Sequence, residues 1–199
     1  MKVIRFETRP IVVKLAQPIT SALGAIDRCG VVLLRLHTDV GVTGENLVFT
    51  LNDRHTRVLR QMVDELAESM IDVDVGHITR CWQRAWIHLN FFGQKGIAVM
   101  AISAVDGALW DAAARAARLP LYRMLGGAQD RIPVYHSGGL WLHQSIDQLA
   151  EEAQKMVAAG FRAVKMRLGC RTSLGEPDLR TDAARVRAVR DAIGPDVQL

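Results

Sequence analysis

The spacing of apolar residues changes along the chain, and each change predicts a different kind of element. Between residues 2 and 16 apolar positions alternate loosely and include β-branched Val3, Ile4, Ile11, Val12 and Val13. That pattern predicts a strand interrupted near Pro10. Residues 18–30 are rich in Gly, Ser and Thr, which predicts an exposed, mobile loop. The run Val31-Val32-Leu33-Leu34-Arg35-Leu36 predicts a second strand, Asp39-Val40-Gly41 a turn, and residues 42–50 a third strand. From Asp53 onward the period becomes helical. Leu59, Met62, Val63, Leu66 and Met70 recur on one face, with Asp53 the expected N-cap. A second helix is expected over residues 78–89, with Trp82, Trp86 and Leu89 on a common core face rather than forming a cofactor box. A third, over residues 97–117, is rich in alanine, which favours helix and lets neighbouring elements approach closely. Its Asp106 and Asp111 are expected to anchor it through buried pairs or caps, not to act in catalysis. Strands followed by helices make an α+β arrangement.

After Pro120 and Gly126-Gly127 strands and helices alternate. Residues 132–137 predict a strand that ends at Gly138-Gly139. Ser145 and Gln148 form a capping-box pattern ahead of a helix carrying Leu149, Ala153, Met156 and Val157 on one face, and Gly160 ends it. Next comes Phe161-Arg162-Ala163-Val164-Lys165-Met166-Arg167, a strand with cations where a buried strand has none. Alternation places Lys165 and Arg167 on one face and Val164 and Met166 on the other. A parallel strand covered by helices is apolar on both faces, so these cations need partners: carboxylates of the protein, or an anionic ligand. A polar loop over residues 169–178 precedes a helix from near Thr181, with Val186, Val189 and Ile193 spaced for burial and Gly194-Pro195 as its stop. Asp196-Val197-Gln198-Leu199 begins a further strand. The alternation reads as a parallel α/β unit. No GxGxxG or P-loop follows a strand, so a barrel is preferred to a dinucleotide fold. In barrels function sits at the C-terminal ends of strands, which here are Ser137 and the pair Lys165/Arg167.

Composition narrows the classes further. The 199 residues are 49% hydrophobic and 23% charged, with a net charge of +4 and an isoelectric point near 9.2. The basic residues are scattered, as at Arg180, Arg185, Arg187 and Arg190, without a stripe interleaved with aromatics; no nucleic-acid partner is expected. Cys29, Cys81 and Cys170 are widely spaced and include no CxxC pair, which fits a reducing compartment rather than a disulfide or zinc framework. The first residues lack the apolar core and cleavage site of a signal peptide, and no run approaches the roughly 18 consecutive apolar residues of a membrane span. A cytoplasmic protein with no membrane partner is expected.

The stretch Ala101-Ile-Ser-Ala-Val-Asp-Gly-Ala-Leu-Trp-Asp111, followed by Ala114-Arg115, Pro120-Leu121 and Met124-Leu125-Gly126, resembles the signature of the enolase superfamily, in its mandelate racemase/muconate-lactonizing enzyme branch. Met124 stands where that family usually has Leu. Residues 160–169 fall where the family carries a Lys-x-Lys motif. The resemblance implies an α+β capping domain over residues 1–125, followed over residues 126–199 by the start of an α/β (β/α)7β TIM-like barrel, truncated after its second βα unit. It also implies abstraction of a proton α to a carboxylate, with Mg2+ stabilising the enediolate. Such a proton is too weakly acidic for a side-chain base unless preorganised positive charge meets the developing dianion. The chain ends at Leu199, where the family's third barrel strand would present its first metal-ligating carboxylate. The Mg2+ ligands are therefore expected beyond Leu199, in an enzyme about twice this length, and none within this chain.

Lys165 and Arg167 are the catalytic residues the resemblance implies. Arg167 replaces the second lysine; a guanidinium rarely gives up its proton but pairs well with carboxylates. Mandelate-type racemisation needs a base on each face, whereas dehydration needs one base and an acid for the leaving hydroxyl. The expectation is therefore an acid-sugar dehydratase, a carbon–oxygen lyase, with Lys165 as electrostatic partner or auxiliary base. Alternatives are a racemase or cycloisomerase of the same superfamily, or an inactive fragment lacking the metal site. By resemblance the capping-domain lid comprises residues 17–29 and the turn after Gly44, with Asn46 and Leu47 binding substrate. Ser137 either binds a substrate hydroxyl or carboxylate or caps the next turn; His136 faces the other way and is expected to be structural. The expected partner is a small carboxylate, and relatives suggest a homo-oligomer.

Overall fold

The computed structural model describes residues 1–21 and 24–199. β1 (Val3–Ser21), β2 (Gly24–Thr38) and β3 (Thr43–Thr50) form a sheet in the order β1-β2-β3. β2 and β3 are antiparallel, in register from Gly30 opposite Thr50 to His37 opposite Thr43. Val32, Leu34 and Leu36 are buried on one face of β2, while their neighbours are partly or fully exposed, as a sheet covered on one side requires. Pro10 and Pro18 lie inside β1, an edge strand, where a missing N–H breaks no inner ladder.

The sheet corrects three expectations. β1 runs through Pro10 without the interruption expected there. The loop expected over residues 18–30 is instead the end of β1 and most of the first half of β2, apart from Ala22 and Leu23, which lie outside the described residues. Ladder hydrogen bonds use the backbone, so a Gly-, Ser- and Thr-rich stretch pairs as well as an apolar one once a partner strand is present. Likewise Glu45, Asn46 and Leu47 are strand residues of β3 and not a turn.

Three helices follow: α1 (Thr56–Glu68), α2 (Ile78–His88) and α3 (Ile97–Ala116); α3 packs on β3, and α1 and α2 pack on α3. α1 is capped by His55 without a side-chain bond. Asp53, the expected N-cap, instead offers its carbonyl to Thr56 N–H at 3.3 Å. α2 buries Ile78, Cys81 and Ala85, and Leu89 follows as its buried C-cap. Trp82 is 40% exposed and stacks on Trp86 with centroids 5.0 Å apart, so this pair flanks the core that it was expected to fill. The small residues of α3 earn their place by contact distance. A Cβ on Gly44 would lie 2.0 Å from Ala108 O, and one on Gly107 would lie 2.1 Å from Asn46 Nδ2. By length and mean composition α3 could cross a membrane, although Ser103, Asp106, Asp111 and Arg115 interrupt its apolar run. Here its apolarity is spent on the core, where Ala101, Ile102, Val105 and Leu109 are buried. Asp111 joins β3 to α3 as an anchor: its Oδ2 accepts from Glu45 N–H and Arg115 Nε, both at 2.8 Å. The short α4 (Leu121–Met124) follows Pro120.

The chain divides into two compact units, residues 1–16 with 27–128, and residues 17–26 with 129–199. In the second, α5 (Ile146–Ala158) and α6 (Leu179–Ile193) pack beside three extended segments. His136 bridges Val164 and Ala163 bridges Gln198, both in parallel. The ladder bonds run His136 N to Ala163 O at 2.8 Å, Lys165 N to His136 O at 2.9 Å and Val164 N to Gln198 O at 2.9 Å. Val164, Val189, Ile193, Val197, Leu149 and Met156 form the core between segments and helices. This is the parallel α/β layering, in single-residue bridges; a closed barrel is not seen. Closure needs about eight strands, and two βα units do not supply them.

Candidate active site

The central extended segment keeps the alternation of its sequence. Val164 is 4% exposed and Met166 packs against the same core, while Lys165, one position away, is exposed. The Lys165 Nζ lies 5.9 Å from the centroid of Tyr135, and the Arg167 guanidinium lies 5.1 Å from that of Trp141. Neither cation has a carboxylate partner among the described residues, and Arg167 Nη1 is buried with no hydrogen-bond acceptor. Leaving a buried charged donor unsatisfied costs at least about 1–3 kcal/mol. Aromatic faces return part of that through cation–π attraction, about 0.5–2 kcal/mol, but no hydrogen bond. An incoming carboxylate would supply it.

Ser137 is half-buried and follows the His136 bridge, which gives it the register of Lys165 and the same face. His136 turns the other way. Its ring meets Phe161 edge-on at 4.7 Å and its Nδ1 accepts from Gly138 N–H at 3.4 Å, a structural placement. A cavity of about 770 Å³ opens beside the segment, lined by Tyr135, Lys165, Leu168, Arg187, Arg190 and Asp191 among others. Asn46 and Leu47 belong to the first unit. The Asn46 amide is committed there: Nδ2 donates to Ser103 O at 2.8 Å and Ala104 O at 3.1 Å, and Oδ1 accepts from Leu47 N–H. Leu47 is 51% exposed. Of the residues expected in the lid, Thr20 Oγ1 lies 2.7 Å from His143 Nδ1, within the second unit.

Sequence reasoning missed the residues that build the turn beneath Arg167. A Cβ on Gly139 would lie 2.7 Å from Glu152 Oε2 and from Met156 Cε, so either side chain would have to shift to admit it. Leu140 takes φ +55°, a left-handed conformation costly for a branched side chain. Glu152 Oε2 accepts from Leu140 N–H at 2.7 Å and Gln144 Nε2 at 2.9 Å. Arg185, only 4% exposed, donates to Gln144 O at 2.7 Å and Trp141 O at 2.9 Å. One signal was available: Arg185 precedes Val189 by four residues and Ile193 by eight, on the buried stripe of its helix. Nearby, Asp182 accepts from Gly169 N–H at 2.9 Å and Cys170 N–H at 3.2 Å, so it pins the loop instead of standing free as a base. Burial, then the contact with Asp182, pushes the Cys170 thiol above its ordinary pKa and away from nucleophile chemistry.

Among the described residues no group of three or more His, Cys, Asp or Glu side chains converges to hold a metal ion. Mg2+ takes carboxylate oxygens and water in an octahedron, so the donor set of the described residues does not fit it.

Residues 3–126 match the family model described as mandelate racemase/muconate lactonizing enzyme, N-terminal domain, and residues 148–199 that described as enolase C-terminal domain-like. The 3,6-anhydro-α-L-galactonate cycloisomerase of Streptomyces coelicolor is 35% identical over 90% of this chain and 48% of its own length. The arabinonate dehydratase of Saccharolobus solfataricus is 28% identical over 78% of this chain and 40% of its own. The crystal structure of L-talarate dehydratase from a Polaromonas species, complexed with Mg and L-glucarate, superimposes with a TM-score of 0.87 at 27% identity, covering 98% of this chain and 52% of that one. The chain spans about half the length of the relatives it matches. It belongs to the mandelate racemase/muconate lactonizing enzyme family of the enolase superfamily.

Proposed function

We propose that Lys165 and Arg167 hold the carboxylate end of an acid sugar whose α-proton is removed, and that the enzyme is a dehydratase. The observation that carries this reading is the pair itself: two cations at successive same-face positions, each on an aromatic ring and neither neutralised by a carboxylate among the described residues. Arg167 offers a planar fork suited to a carboxylate. Lys165 places a compact positive charge where an enediolate gains its second negative charge, and Ser137 on the same face adds a hydroxyl. A preorganised donor of this kind accounts for roughly 10²–10³ in rate. Mg2+, where bound, adds Lewis-acid stabilisation of the same charge. Among the described residues no set of side chains converges to ligate it.

Loss of hydroxide from the β-carbon of the enediolate, with a proton delivered to it, gives water and an enol; the enol loses its hydroxyl proton and gains one at C3 to become the 2-keto-3-deoxy acid. The second reading is cycloisomerisation, favoured by the 35% identity to a cycloisomerase over most of this chain. Incubating the enzyme and Mg2+ with a panel of aldonic, aldaric and 3,6-anhydro-aldonic acids separates the two by mass. A product lighter by one water supports dehydration. An isomer of unchanged mass from the anhydro acid alone supports cycloisomerisation, and an epimer of unchanged mass overturns both. No turnover of any acid would leave only the reading as an inactive fragment.

A further inference from the structure

The turn over residues 140–144 lies between a half-buried anion and a buried cation that form no ion pair with one another among the described residues. Glu152, from α5, takes the N–H of Leu140 and the side-chain amide of Gln144. Arg185, from α6, gives its two terminal nitrogens to the carbonyls of Trp141 and Gln144, at 2.9 and 2.7 Å. The anion reads the donors of the turn and the cation reads its acceptors, so the peptide dipoles are aligned from both sides. Gln144 Oε1 closes the set by accepting from Trp141 N–H at 2.5 Å. The turn would not hold this shape unaided, since Leu140 sits at φ +55°. Arg185 has no ion-pair partner among the described residues, Asp182 acting on it only from a distance, and its Nε is left without an acceptor; that is costly merely to shape a turn. What the turn presents is the Trp141 ring, 6% exposed, with Arg167 on its face and Arg167 N–H bonded to Leu140 O at 3.1 Å.

We infer that Arg185 and Glu152 are positioning residues that fix Trp141 as the platform presenting the Arg167 guanidinium to its anion. The inference rests on the carboxylate-binding reading of Arg167 and is tested apart from it. The probe is L-glucarate, titrated by calorimetry into the full chain, together with the emission of Trp141 obtained by subtracting the spectrum of a Trp141→Phe partner of each variant. Arg185→Lys keeps the charge but reaches one carbonyl instead of two. It is expected to red-shift Trp141 emission and to weaken L-glucarate about threefold to tenfold. Arg185→Met and Glu152→Gln act in the same direction, Arg185→Met more strongly. In an Arg167→Met background the Arg185→Lys loss is expected to vanish, because the clamp acts through Arg167. A merely structural arginine would weaken binding equally in both backgrounds, and that result overturns the inference, as does Arg185→Lys with wild-type emission and affinity. If Arg185→Met fails to fold, the Lys variant decides. If Arg167→Met binds L-glucarate as the wild type does, the carboxylate reading fails. Trp141 emission in Arg185→Lys then decides whether the clamp exists: a shift supports it and an unchanged spectrum removes it.

Discussion

Single atoms set the closest approach in the first unit. Gly44 has no room for a methyl group, with Ala108 O at 2.0 Å and Ala112 Cβ at 2.8 Å from where it would sit. The obstacle is helix backbone and cannot swing aside. Gly44→Ala is therefore expected to destabilise the protein by about 1–3 kcal/mol in urea titration, whereas Gly138→Ala, which meets only His136 Cε1 at 3.4 Å, changes it little. Glu45, the next residue, accepts from Arg35 at 2.7 Å and Arg115 at 2.9 Å. Those bonds, the one from Arg35 foremost, hold its carboxyl below the ordinary glutamate range. Because the folded value lies below the unfolded one, about 4.3, the associated stability is present above that pH. It disappears as pH falls through the depressed folded value. Melting temperature followed from pH 6 downwards should fall less steeply for Glu45→Gln than for wild type; parallel curves would show that the pair contributes nothing. The sequence made Lys165 and Arg167 legible because strand alternation exposes a charge out of place. It left Glu152 and Gln144 hidden, because a polar residue within a helix or just before it looks solvated until the turn that it bonds is known.

Local chemistry decided the best-read elements. α5 begins with the Ser145/Gln148 capping box, both reciprocal bonds present, and ends with Gly160 at φ +93°. Gly160 N–H bonds Val157 O and Phe161 N–H bonds Met156 O, the paired closure of a Schellman motif. Ser145→Ala should cost about 1 kcal/mol and Gly160→Ala about 1–2 kcal/mol. The double variant should show their sum in denaturant titration, since the sites lie at opposite ends of the helix. A markedly smaller sum would mean that α5 frays independently. Elements decided by tertiary pairing were misread. β1 and β2 extend through a Gly-, Ser- and Thr-rich stretch because each supplies backbone partners to the other, and composition carries no mark of that. The Trp82–Trp86 stack was misplaced for a related reason: spacing put them on one face, but Ile78, Cys81 and Ala85 fill the side that α3 covers.

At the scale of the molecule, the α+β unit and the parallel βα layering both follow from changes in apolar period, while closure into a barrel lies outside what these residues build. The proposal places its chemistry on one exposed face of the central segment. Lys165 is exposed and without an acid partner among the described residues, so Lys165→Ala should alter stability by no more than about 0.5 kcal/mol. It should nevertheless lower turnover of the acid sugar roughly 10²–10³-fold; equal turnover would remove Lys165 from the site. The most direct test needs neither metal nor turnover. L-glucarate is titrated into the labelled chain while the Lys165 ammonium and Arg167 guanidinium resonances are followed by NMR. Saturable shifts of both, abolished by Arg167→Met, are the predicted result; resonances that stay put while others move would contradict the account.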